Sequence, residues 1–102
     1  MNELERKFHQ DMIEIYHLSK KECNYTPTRF LQLVSKIGGV DAAKQLIRKP
    51  GGTEGFSTLW GLGRLDLSVE AFVLKPEYQE LFSLEDRLLC KKRLNEYGYI
   101  ID

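Results

Sequence analysis

The sequence predicts an all-α protein, a compact bundle of five or six short helices in a single domain, and three observations carry that expectation. Apolar residues recur with helical rather than alternating spacing along the chain. Proline, glycine and capping residues punctuate it every ten to twenty positions. No stretch alternates apolar and polar residues as a half-buried strand would. At 102 residues, with 42% apolar and 29% charged side chains, the chain can bury one modest core and lacks the composition of a disordered one.

The elements follow in order. Residues 2–22 place Leu4, Phe8, Met12, Ile15 and Tyr16 on one stripe of an amphipathic helix, which Asn24 and Tyr25 break. In "TPTRFLQLVSKIGG", Thr26 is the expected cap, Pro27 the first helical residue and Gly38-Gly39 the stop, with Phe30, Leu31, Val34 and Ile37 inward. Asp41 is the expected cap of "DAAKQLIRK", which the turn "PGG" at 50–52 ends. Thr53 then caps about two turns that bring Phe56, Leu59 and Trp60 together. Trp60 is expected to be buried against Phe56 and the helix carrying Phe30 and Val34. A helix over about 67–74 stops at Lys75, which Pro76 pushes out of helical geometry. "PEYQELF" makes a further turn. Ser83, with Asp86 three residues on, opens the last helix as a shortened capping box, and Gly98 closes it.

Fifteen Lys plus Arg balance fifteen Asp plus Glu, so no overall basic field draws the chain to nucleic acid or to an anionic membrane. The longest apolar run is Ala71 to Leu74, far short of a bilayer span. The charged start "MNELERKFHQD" has no signal-peptide core, and Cys23 and Cys90 suit free thiols; a cytoplasmic location is expected. His9 and His17 lie too far apart along one helix to share a metal. No C-x-x-C or H-x-x-x-H occurs, so neither metal nor cofactor is expected. "GLGRLDL" lacks the third glycine of a dinucleotide fingerprint and has no strand before it.

The most informative stretch is "GFSTLWGLGRLDLSVEAFVL". Arg64, Asp66, Ser68 and Glu70 alternate there with Leu65, Leu67 and Val69 between two helices. The first reading is structural: Asp66 or Ser68 caps the new helix while Arg64 pairs with Asp66 or Glu70 and pins the corner. The second is a partner or anion contact formed by Arg29, Arg64, Asp66 and Glu70. A separate basic set, Arg48, Lys49, Lys91, Lys92 and Arg93, could contact nucleic acid.

At "YTPTRFLQLVSKIGGVDAAKQLI", "GFSTLWGLGRLDLSVEAFVLKPEYQELF" and "RLNEYGY" the chain resembles a family of small bacterial proteins with no assigned activity. Their pattern runs Y-x-P-T-R-F-L-Q, then G-F-x-x-L-W-x-x-G-R-L-D-L-S-V-E-A. The resemblance marks Tyr25, Arg29, Gln32, Lys44, Trp60, Arg64, Asp66 and Glu70, and implies a defence-associated setting. Gly61 departs from it, standing where the pattern carries a larger, often acidic residue. The function expected is a non-catalytic interaction module docking to a larger protein. Direct nucleic-acid binding is the alternative, and a small enzyme built on Arg29, Arg64, Asp66 and Glu70 the third reading.

Overall fold

A computed structural model describes residues 2–49 and 55–100. Six α-helices, α1 (Glu3–Cys23), α2 (Thr28–Ile37), α3 (Gly39–Ile47), α4 (Phe56–Gly61), α5 (Val69–Val73) and α6 (Leu84–Glu96), are supplemented by 3-10 turns at Leu65–Leu67 and Pro76–Leu81. No strand occurs among the described residues, so the chain folds as the all-α bundle that its periodicity predicts. The turn expected at 50–52 and the cap expected at Thr53 lie outside the described residues.

α1 starts in a reciprocal capping box. The Asn2 side chain accepts the Glu5 N–H at 2.8 Å, and the Glu5 carboxylate accepts the Asn2 N–H at 3.1 Å. Its buried stripe is Phe8, Met12, Ile15 and Ser19, and Asn24 ends it in a left-handed conformation. α2 begins one residue later than the expected proline start. Pro27 occupies the cap position with no side-chain cap, and Phe30 and Val34 are its buried residues.

The junction of α2 and α3 differs from the expectation in an instructive way. Gly38 turns the chain at φ 90°, and α3 begins immediately at Gly39, so Asp41 lies in the first turn rather than at the cap. The N–H of Gly39, at the buried start of α3, is met from another helix. His9 on α1 accepts the Gly39 N–H through Nδ1 at 2.9 Å. The two helices are in backbone contact there, since a Cβ on Gly39 would lie 2.6 Å from the His9 Cα.

Two hydrophobic clusters result. The larger joins Phe8, Met12, Phe30, Val34, Ile47, Val73, Tyr78 and Cys90 among others; the smaller joins Phe56, Leu59, Leu65, Leu67, Ala71 and Leu94. α5 belongs to both, and every residue from Val69 to Val73 is buried. It is shorter than the helix expected over 67–74 because Leu65–Leu67 closes as a 3-10 turn first. Tyr78 packs edge-on against Phe8 at 4.9 Å, and its hydroxyl donates to Asp11. That bond fastens the second 3-10 turn to α1.

Gly39→Ala is expected to cost about 1–3 kcal/mol, because overpacking here meets backbone rather than a movable side chain. Gly61→Ala has open space around its new Cβ and should be neutral or stabilising by up to about 1 kcal/mol. Chemical denaturation of the two variants checks the contrast.

Candidate functional site

The corner between α4 and α5 is built around one guanidinium. Arg64 Nε and Nη2 donate to the two Asp66 carboxylate oxygens at 3.1 and 3.2 Å, and Nη1 donates to Glu22 at 2.9 Å. Both carboxylates hold the Arg64 charge firmly in place and raise its pKa, Asp66 first. Glu22 lies in the last turn of α1, so the latch ties the end of the longest helix to the chain leaving α4. Arg64, Asp66 and Glu22 keep side-chain exposures of 31, 48 and 40%, which leaves the cluster on the surface.

The helix cap and the latch are separate devices. Ser68, fully buried, accepts the Ala71 N–H at 3.2 Å and donates its hydroxyl to the Leu65 carbonyl at 2.7 Å. Asp66 caps nothing in this arrangement; its carboxylate is taken up by Arg64.

Glu70 turns away from Arg64 into the interior, with no exposed side-chain surface, and accepts from Arg93 Nη1 at 3.1 Å. The same guanidinium donates to the Ile47 carbonyl at 3.0 Å and the Lys49 carbonyl at 3.4 Å. Cys90 lies fully buried on the same face of α6, and burial, with Glu70 adding to it, pushes its thiol up to about 12. It therefore stays protonated, the opposite of an activated nucleophile.

Of the four residues expected to form an anion or partner contact, the structure joins only Arg64 and Asp66. Glu70 is internal, and Arg29 stands exposed in the first turn of α2 with no hydrogen bond or ion pair to the latch among the described residues. A small cavity of about 20 Å³ lies between Ile15, Ser19, Phe30, Leu59 and Leu67, and none of the four lines it.

The basic set is divided in the same way. Arg48 forms a two-pronged pair with Asp86, at 3.0 and 2.8 Å. Arg93 retains 11% of its side-chain surface, while Lys49, Lys91 and Lys92 are exposed. Ser83 caps α6 as expected, accepting the Asp86 N–H at 3.1 Å. The Asp86 carboxylate, however, reaches across to Arg48 instead of completing the box. That bond holds the Asp86 carboxyl below the usual carboxylate range.

Trp60 departs furthest from its expectation. It is 52% exposed, seated edge-on against Tyr97 at 5.4 Å, and Phe56 also meets Tyr97 edge-on, at 4.9 Å. α4 is under two turns long, and Phe56 with Leu59 suffices for its inward face. Trp60 follows Phe56 by four residues, about 40° round the helix, yet stands on the rim with Leu62, itself 49% exposed. Among the described residues no group of three His, Cys, Asp or Glu is placed to hold a metal ion. Comparison with protein-family models, curated proteins and solved structures finds no match.

Two measurements test this geometry. Arg64→Ala and Asp66→Ala should each lower the melting temperature, and the double variant should lower it by less than the two together, since both remove one shared interaction. Additive losses would remove the latch. For Asp86 the sign follows from a folded pKa below that of the unfolded chain. Its stabilising contribution is complete above about pH 4 and disappears as pH falls through the depressed folded value. Melting profiles of the native chain and Asp86→Asn should therefore converge in acid.

Proposed function

We propose that this protein is a non-catalytic helical interaction module that docks to a larger protein through the aromatic rim of α4. The observation that carries the reading is the exposure of Trp60 and Leu62 on a corner fixed from two sides. Arg64 holds the chain after α4 to α1, and Tyr97 holds the indole ring. Tryptophan is the residue type most enriched at the energetic centres of interfaces. One held in place loses little further freedom when a partner covers it. No helix among the described residues is long and apolar enough to cross a membrane. The cytoplasmic, defence-associated bacterial setting implied above belongs to this reading.

A second reading, contact with nucleic acid, retains one favourable observation: Lys91 and Lys92 are exposed side by side on α6. It requires binding that weakens steeply with salt.

Trp60→Ala separates the cases. The docking reading expects a correctly folded variant that no longer retains a partner captured by the native chain and re-bound in purified form. Retention of that partner at native affinity would overturn it.

A further inference from the structure

One bond between helices depends on the protonation state of a side chain. His9 Nδ1 accepts the Gly39 N–H at 2.9 Å, and only a ring nitrogen without a hydrogen can accept. The bond therefore fixes His9 as a neutral imidazole with its hydrogen on Nε2. No side chain of α3 serves that N–H. Gly39 is the first residue of the helix, where N–H groups have no intrahelical acceptor, and α3 has no side-chain cap. Gly39 is also buried, so its N–H needs a partner from the protein. Nor can the backbone turn away while the helices stay packed. Gly38 holds the junction at φ 90°, and a Cβ on Gly39 would lie 2.6 Å from the His9 Cα.

We infer that His9 is a proton-operated clasp between α1 and the α2–α3 junction, closed while the imidazole is neutral and open once Nδ1 is protonated. Protonation sets two N–H donors against each other at hydrogen-bond distance, so the ring must turn out or the junction must separate. His9 is only half-buried, which gives the ring a way out. The charges around it can receive the imidazolium. Glu5, one turn earlier on α1, and Asp41, in the first turn of α3, line the same groove as Gly38 and Gly39. The cations of this region, Arg6 on α1 and Lys36 in the last turn of α2, are exposed to water. Where α1 meets the second 3-10 turn, Glu77 and Tyr78 are engaged by Lys7 and Asp11.

The pH window follows from the ring. A histidine ordinarily takes up its proton at about pH 6.5. The Gly39 bond is complete above that range and is lost as pH falls through it, apart from the Asp86 loss in stronger acid. What opens is local, because Ala42, Ala43, Leu46 and Ile47 hold the rest of α3 in the core. The clasp uses no residue of the α4 rim and does not rest on the docking reading.

Nitrogen-15 NMR of the full chain between about pH 8 and about pH 5, spanning the histidine range, tests it. At the upper end the His9 ring should carry its hydrogen on Nε2. As the ring titrates, the exchange protection of the Gly39 amide, corrected for the intrinsic rate at each pH, should fall about tenfold with the same midpoint, the worth of one ordinary hydrogen bond. In His9→Gln that protection should be flat across the window, and His17→Gln should behave as native, with circular dichroism checking each fold. A ring hydrogen on Nδ1 at the upper end, or a ring that stays neutral throughout, would overturn the inference. So would a ring that titrates while Gly39 protection holds, or an unchanged pH dependence in His9→Gln.

Discussion

The arrangement of this small bundle depends on one buried ion pair. Glu70 sits in the middle of α5, the helix shared by both hydrophobic clusters, and has no exposed surface. A carboxylate placed there is costly unless charge and hydrogen bonds surround it. Arg93 meets it from α6, and its remaining donors reach the Ile47 and Lys49 carbonyls at the end of α3. Those are carbonyls a helix leaves without intrahelical partners, at the end where a cation is favoured. One guanidinium thus satisfies a buried acid and a helix terminus together, and joins three helices. Breaking such a pair from one side costs about 3–5 kcal/mol, a large part of a domain's stability.

That strut also decides what faces outward. With Arg93, Cys90 and Leu94 turned in, the helical period sends Leu84, Leu88, Lys91 and Asn95 to the opposite side. α6 is apolar on both faces, so periodicity alone could not choose between them, and Arg93 read as one of the basic set that could contact nucleic acid. The buried face was set by a partner 23 residues away. The same distance in sequence hid the other struts: Arg48 with Asp86, 38 apart, and Arg64 with Glu22, 42 apart. Arg64 with Asp66, two residues apart, was legible because the geometry is local.

What depends on neighbours along the chain was therefore readable. The fold class, the serine caps at Ser68 and Ser83, the break at Lys75 and the stop at Gly98 all follow from nearest-neighbour chemistry. What depends on helices meeting was not. His9 was weighed as a metal ligand, yet it accepts the Gly39 N–H at the start of α3, because Gly39 lets the two backbones close to contact. Asp41, the local candidate, falls inside the first turn because α3 starts two residues before it, at Gly39. Trp60 was misplaced because its spacing of four from the buried Phe56 puts both on one side of α4, and the helical period does not say how far the core extends beneath that side.

The result is a molecule with charge inside and apolar surface outside at defined places. A buried polar group and an exposed large apolar one are the informative exceptions to ordinary partition. Among the buried exceptions, Glu70 and Asp86 are paired with Arg93 and Arg48, which helps short helices hold one arrangement, while the Ser19 hydroxyl has no hydrogen-bond partner among the described residues. The exposed ones include Trp60 with Leu62 and Leu84 with Leu88, and of these Trp60 still packs against Tyr97. They are nevertheless carried on rigid elements: Trp60 between the Arg64 latch and Tyr97, the leucines on the helix that Arg93 anchors. Of the charges expected to form a binding site, Arg64, Asp66 and Glu70 instead hold elements of the fold to one another.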